Sequence, residues 1–449
     1  MFDRKQEQEL NHLIEERNYR MLRLTLSEMH DVDVAQFIED QKGEQPLFIF
    51  RLLPKDQAVN VFSELSTDMQ QRIIESATDR ELSLMIEELA VDDAVDVLEE
   101  MPAMLVKRVL RNSSPETRKL INQFLLYPEY SVGSIMTSEY TNLRPRLTVA
   151  EAIARIRRIG EDRETIYNCY VTDEFRHLIG VVTVKDILLA GDAEYIEDLM
   201  ETNVISVATT DDQEIAVDAM AKYDFMSLPV VDAENRLVGI VTIDDAVDVM
   251  QEEATEDFER MYAMAPSERP YLKTSVSTMA RNRFVWLLVL MVSGMITGKI
   301  LGFYEEAFIA IPLLVTFIPM LTDTGGNAGS QSSTMVIRGM ALGEIDLEDA
   351  PAIVTKELGV SLLVGVPLAT VNFVRVLIGY PGNGAIGLTV SLAMLVTVVL
   401  ANTVGGVLPL VAKVCKIDPA LMASPLIATL VDALSLIVYF SIAFVLLPL

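Results

Sequence analysis

Cysteine, histidine and basic side chains are all scarce in this 449-residue chain. The two cysteines, Cys169 and Cys415, lie in different halves, which leaves no disulfide framework and no thiolate metal site, and both read as ordinary buried thiols. The three histidines, His12, His30 and His177, form no paired zinc-binding spacing, so zinc-hydrolase chemistry is excluded. Lysine and arginine number 36 against 65 carboxylates, and without a basic footprint nucleic acid is not an expected partner. There is no P-loop and no phosphorylation motif, so no hydrolysis-driven step and no enzyme activity is expected. No apolar leader precedes Met1-Phe-Asp-Arg-Lys, and the amino terminus is expected to stay in the cytoplasm.

The charge that is present is unevenly spread. The last 169 residues hold 8 basic and 10 acidic side chains, leaving 28 and 55 to residues 1–280. The chain therefore divides into an acidic soluble half and a nearly neutral apolar half. A surface of that sign attracts cations and repels itself unless they screen it, although it also serves plain solubility.

Residues 1–130 read as short amphipathic helices with an internal echo. Leu53-Pro-Lys-Asp56-Gln-Ala58-Val59 through Leu65 matches Leu89-Ala-Val-Asp92-Asp-Ala94-Val95 through Met101 at an offset of 36 residues. Repeats of that length predict stacked helix pairs in a small superhelix. Asp92, Asp93, Asp96, Glu99 and Glu100 then lie along one helix, as cation ligands or as an N-cap and solvated face.

Strand-like segments recur between Ser134 and Met250. Tyr170-Val-Thr-Asp173 followed by Leu178-Ile-Gly180-Val-Val-Thr183-Val-Lys-Asp186 returns as Pro229-Val-Val-Asp232 followed by Leu237-Val-Gly239-Ile-Val-Thr242-Ile-Asp-Asp245. Each hairpin leads into a helix, predicting a β-α-β-β-α unit twice. This resembles a tandem cystathionine-β-synthase-type (CBS) pair, a regulatory module that often binds adenosine nucleotides. The resemblance implies that Thr183 and Asp186, or Thr242 and Asp245, offer hydroxyl and carboxylate to a ribose, as in ATP. The alternative is that they only cap helices. Asn168 and Lys185 stand where nucleotide binders of this type often carry an aromatic residue and an arginine.

Asp244 to Met261 is a helical pattern packed with carboxylates. Asp245, Asp248 and Glu252 share one face, and Glu252, Glu256 and Glu259 another. Like charges at that spacing repel, so the helix calls for a counter-charge, either a divalent cation or a basic surface.

Five apolar stretches follow, near Phe284–Tyr304, Ala307–Leu321 with its continuation, Val354–Ile378, Ile386–Ala412 and Pro425–Leu447. Each reaches or approaches the ~20 residues that span a bilayer. Arg281, Arg283, Arg338, Lys356, Lys413 and Lys416 mark one side, which places the amino terminus in the cytoplasm and the carboxyl terminus outside. Lys299 and Arg375 lie near the outer ends and are expected to snorkel. The second stretch should break at Pro312 and Pro319, and its Thr324-Gly-Gly-Asn327-Ala-Gly329-Ser-Gln331 run either presents carbonyls and amides to a cation or packs through Gly325 and Gly329. Asn402, beside Gly405 and Gly406, raises the same pair of readings. Within the last stretch Asp432 has no basic partner. A carboxylate costs roughly 2.5–3.5 kcal/mol at mid-bilayer and is kept where it meets water, a partner or an ion.

Taken together, the acidic repeat, the tandem pair, the carboxylate-rich helix and two membrane motifs resemble the MgtE family of magnesium channels. The motifs are Thr-Gly-Gly-Asn-x-Gly-x-Gln and Asp-Pro-Ala-Leu leading to Pro-Leu-Ile-Ala-Thr-Leu-x-Asp. The resemblance implies a multidomain chain, with an all-α superhelical domain over 1–130 and an α/β tandem CBS pair over 131–250. A connecting plug helix over 251–280 and a five-helix α-helical transmembrane domain over 281–449 would complete it. It further implies a homodimer in the cytoplasmic membrane that passes Mg2+ and closes when cytosolic Mg2+ binds. Asp432 becomes the pore carboxylate with Asn327 and the Ala428 carbonyl nearby, and Asp418 shares a cation with the connecting helix. Candidate regulatory ligands are Asp92, Asp96, Asp212, Glu214, Asp224, Asp245, Asp248, Glu252, Glu253, Glu256, Asp257 and Glu259. Transport of cobalt instead, or a membrane-anchored sensor without transport, are the other expectations.

Overall fold

The computed structural model describes residues 4–99, 101–266, 271–272 and 274–448. The chain forms two compact units, which divide between Met250 and Gln251.

The first unit opens with ten short helices: α1 (Arg4–Glu15), α2 (Tyr19–Ser27), α3 (Asp31–Glu39), α4 (Gln45–Phe50), α5 (Lys55–Ser63), α6 (Thr67–Ser76), α7 (Asp79–Glu88), α8 (Val91–Glu99), α9 (Ala103–Asn112) and α10 (Pro115–Phe124). The two copies of the 36-residue repeat begin at α5 and α8, so each holds three helices rather than the expected pair. The reason is punctuation: Pro54, Ser66, Thr78, Pro102 and Ser114 each sit at an N-cap, roughly every 12 residues. Thr78 and Glu81 close a full capping box. Glu100 lies outside the described residues.

Two three-stranded sheets follow. The first consists of β1 (Thr141–Leu143), β2 (Asn168–Thr172) and β3 (Leu178–Thr183), with α11 (Val149–Ile159), α12 (Val184–Leu189) and α13 (Ile196–Leu199). The second consists of β4 (Val207–Ala208), β5 (Ser227–Val231) and β6 (Leu237–Thr242), with α14 (Gln213–Tyr223). In each the outer pair is parallel and the hairpin antiparallel, with matching shifts of register before the turn. The predicted β-α-β-β-α unit is therefore present twice. The two hairpin turns are cross-tied by Leu178 N–H donating to the Asn235 carbonyl and Leu237 N–H donating to that of Arg176. One apolar core runs from the helical repeat through Val132, Val230 and Val241 to Ala246 and Val249.

The second helix of the second sheet, α15 (Ile243–Met261), continues without a break into the second unit. There, α16 (Val276–Phe303), α17 (Glu305–Ala310), a 3-10 turn at Pro312–Phe317, α18 (Ile318–Ala341), α19 (Ala350–Gly379), α20 (Gly384–Val414), a 3-10 turn at Pro419–Met422 and α21 (Ser424–Leu446) follow. Four of these segments are long and apolar enough to cross a membrane: those containing α16, α19, α20 and α21. α18 is not among them, because its own sequence is studded with Asp, Asn, Gln, Ser and Thr. Instead it packs against both α20 and α21.

Breakage of the second stretch is confined to Pro312–Phe317. Pro319 sits in the first turn of α18, where a missing N–H costs nothing, and Thr324–Gln331 is regular helix. The expectation of broken backbone at the Thr-Gly-Gly-Asn run is thus corrected, since its carbonyls are committed to the helix. The 3-10 turn is pinned from outside: Tyr439 donates its buried hydroxyl to the Leu314 carbonyl at 3.0 Å. Arg375 is exposed and is also held by neighbours. Its guanidinium lies 5.8 Å from the centre of the Phe317 ring and donates to Asn372 Oδ1 at 3.1 Å. Cys415 is exposed, not buried as expected, because it lies just beyond the end of α20.

Candidate cation sites

The glycines of α18 decide what its two faces do. A Cβ on Gly325 would stand 2.7 Å from the Thr397 methyl and 2.8 Å from Val431, and one on Gly329 2.7 Å from Ile427. A Cβ on Gly405 would collide with the Gly329 carbonyl. Helix packing is therefore what these glycines serve. The buried face is completed by Ser332, donating to the Asn402 carbonyl at 2.9 Å, and Ser333, donating to the Met422 carbonyl at 2.8 Å.

The opposite face carries Asp323, Asn327 and Gln331 at i, i+4, i+8, all exposed within the chain. Asp323 is close enough to Asp432 of α21 for the two charges to interact. Ala428, one turn before Asp432, lies against Gly326. The expected trio Asp432, Asn327 and Ala428 thus belongs to one region of the α18–α21 packing, and Asp323 joins it. Sequence reading passed over Asp323, though its i, i+4 spacing to Asn327 was the signal that marks it.

In the turn before α21, Asp418 caps Pro419–Met422 by accepting from the Ala420 N–H at 2.8 Å, and it is paired with Arg260 of α15. Arg260 is paired at the same time with Glu256. Burial, then the Asp418 charge, push the Asp257 carboxyl above its ordinary range.

In the first unit the structure gathers carboxylates from segments far apart in sequence. Asp92 and Asp93 of α8 lie within electrostatic reach of Asp245 of α15 and of Glu164. Burial, reinforced by Asp93 and Asp245, pushes Asp92 up to about 8, and burial with Asp245 and Glu164 pushes Asp93 to about 6. Burial likewise raises Asp245 to about 6 against the opposing hydrogen bond from Thr242. Asp92 Oδ1 is a buried acceptor with no hydrogen-bond partner. These acids share one electrostatic environment that holds an unmet oxygen, but their side chains are not arranged as a set of metal ligands. Asp248, further along α15, acts on Glu64, whose carboxyl is raised chiefly by burial. Glu64 and Glu164 were invisible to sequence reading because only the fold brings them near α15.

The remaining candidates are not drawn together. Among the described residues no three His, Cys, Asp or Glu side chains are arranged to hold a metal ion. Asp212 caps α14, accepting from the Glu214 N–H at 3.0 Å, and Asp224 ends the same helix at φ 56° in the left-handed region. Asp212, Glu214, Asp224 and Asp96 are exposed. Glu252, Glu253 and Glu259 follow the acidic faces of α15. The two hydroxyl–carboxylate pairs differ: Thr183 donates to Asp186 at 2.5 Å with Asp186 exposed, whereas Thr242, buried, donates at 2.7 Å to Asp245 inside the acidic cluster.

Four segments long and apolar enough to cross a membrane, following two β-α-β-β-α units in the chain, define a polytopic membrane protein. Family models match along most of the chain: the MgtE intracellular N domain over residues 29–130, CBS domains over 132–192 and 196–252, and MgtE divalent cation transporter over 318–442. The chain is 36% identical to the magnesium transporter MgtE of Thermus thermophilus, covering 97% of each protein. It is 31% identical to that of Bacillus subtilis, over 96% of this chain and 95% of the relative. A crystal structure of the cytosolic domain of the Mg2+ channel MgtE in complex with ATP matches 54% of this chain and 98% of its own, at 38% identity and a TM-score of 0.51. The chain belongs to the MgtE family.

Proposed function

We propose that this protein carries Mg2+ passively across the cytoplasmic membrane and closes when cytosolic Mg2+ occupies its acidic unit. The observation that carries the reading is the polar stripe Asp323, Asn327 and Gln331 on α18, beside Asp432. Polar groups at membrane depth are kept away from lipid, so this stripe faces water or a second copy of the chain. In a homodimer the stripes of two chains would line one path, with α18 as the fifth crossing and the carboxyl terminus outside. Mg2+ sheds water reluctantly, and two Asp432 side chains across an axis would hold it hydrated and let it leave.

Closure follows from the carboxylates on α8 and α15. A cation among Asp92, Asp93 and Asp245 would offset the burial cost, and the smaller mutual repulsion, that otherwise drive protons onto them. In this reading the end of α15 acts as the plug, and Asp212, Glu214 and Asp224 remain weaker surface ligands. A site that prefers the closed form tenfold biases closure by about 1.4 kcal/mol, so several are required for a sharp response. ATP would enter at Thr183 and Asp186, since at Thr242 its phosphates would meet the acidic cluster. Asp186→Ala should abolish ATP binding measured by calorimetry, and loss on Asp245→Ala alone would reverse that assignment.

The experiment that tests transport is Mg2+ uptake into proteoliposomes followed with a fluorescent indicator. Asp432→Asn and Asp432→Ala, folded and dimeric, should lose uptake by at least tenfold. Uptake equal to the unsubstituted protein removes Asp432 from the path.

A further inference from the structure

Arg260 is the one basic residue of α15, a helix that otherwise carries a dense run of carboxylates. Its guanidinium does two things at once: one nitrogen is paired with Glu256, a turn earlier on the same helix, and another with Asp418, at the turn between α20 and α21. All three side chains are partly buried, with 35% of the Arg260, 25% of the Glu256 and 26% of the Asp418 side chain exposed, so water screens the pairs less than at an open surface. Glu253 and Asp257 lie within reach of the same charge set. One permanent positive charge therefore stands among four carboxylates, and the surplus remains negative.

We propose that Arg260 is a tethered cation that holds the Glu256–Asp418 pair and competes with a divalent cation for it, which sets the Mg2+ level at which this latch is exchanged. The inference rests on the reading above that this end of α15 is a regulatory site. The two cations bind the pair differently. Guanidinium donates directional N–H bonds and is never deprotonated, whereas Mg2+ carries twice the charge and brings its own water shell. Mg2+ gains the pair only by displacing a group that is already attached to the chain, so its apparent affinity there is lowered. Without Arg260 the same carboxylates repel one another at low Mg2+ and bind it more readily as it rises.

Full-length Arg260→Gln and Arg260→Lys in nanodiscs test this by equilibrium Mg2+ binding, with uptake at graded internal Mg2+ as a second readout. Arg260→Gln is expected to bind one more Mg2+ per chain, to conduct more at low internal Mg2+, and to close over a narrower range. Arg260→Lys should stay near the parent, and adding Asp418→Asn to Arg260→Gln should remove the extra ion. An unchanged ion count in Arg260→Gln overturns the proposal, as does conduction that persists at every Mg2+ level without an extra ion, which would make Arg260 a strut. If the parent protein itself shows no Mg2+-dependent closure, the regulatory reading fails, and the ion count alone still decides whether Arg260 competes.

Discussion

Gly405 faces the backbone of another helix, and a single methyl there would strike the Gly329 carbonyl. Backbone cannot swing aside as a side chain does, so Gly405→Ala should force α18 and α20 apart at a cost of about 1–3 kcal/mol. Thermal unfolding in detergent reads this directly as a lower midpoint. Gly294→Ala and Gly298→Ala are the controls, since nothing lies within 4 Å of a Cβ at either position and alanine suits a helix better. Equal midpoints for Gly405→Ala and the parent would refute the close packing. Single residues were legible in sequence to the extent that membrane cost made them conspicuous. Asp432 stood out because an apolar run surrounds it. Asp323 did not, because Thr322 and Thr324 beside it made the stretch look merely polar. One partner of Arg375 was hidden for a different reason: Phe317 comes from the 3-10 turn at Pro312–Phe317, and only packing shows that the guanidinium has a ring to lie on, whereas Asn372 stands three residues earlier on the same helix.

Helices and strands were read from sequence most accurately where local chemistry is self-contained. The two hairpins of the regulatory pair follow from alternating apolar residues and their turns, and both were expected with the correct following helix. The helical repeat was found at the right offset but with the wrong number of helices, because periodicity in apolar residues does not register caps placed every dozen positions. α15 is legible as a helix that repels itself, and Arg260 is its one internal counter-charge. That repulsion yields a prediction at this scale. Replacing Asp248, Glu252 and Glu256 by Asn, Gln and Gln removes three negative charges from one helix, and so removes both the repulsion and the reason for Mg2+ to bind. Conduction in that variant should lose most of its dependence on internal Mg2+, with uptake persisting at levels that close the parent. A variant that still closes at the parent's Mg2+ concentration would show that the carboxylates of α15 do not sense the ion.

For the whole molecule the balance of charge is the governing quantity. The chain carries a formal net charge of −29, and its fold concentrates part of that charge where burial makes it costly. Asp92 at about 8, with Asp93 and Asp245 at about 6, hold protons in the folded protein that an unfolded chain has already released. When the folded state binds more protons than the unfolded one, stability falls as pH rises. The loss begins near the ordinary carboxylate range, continues through about 6 as Asp93 and Asp245 ionise, and is complete above about 8 when Asp92 follows. With chelator present, the unfolding midpoint of the full-length protein should therefore drop between pH 5 and pH 8.5, by roughly 5 °C for a change of one to two kcal/mol in a domain of this size. Mg2+ replaces those protons without waiting for a low pH, so millimolar Mg2+ should restore most of the midpoint at pH 8.5 and add little at pH 5. Asp92→Asn removes the most strongly perturbed acid, and its midpoint in chelator should vary less with pH than the parent's. A parent midpoint that rises with pH in the absence of Mg2+ would mean that these carboxylates are held ionised by partners the fold supplies, and that the acidic unit has no vacancy for a cation to fill.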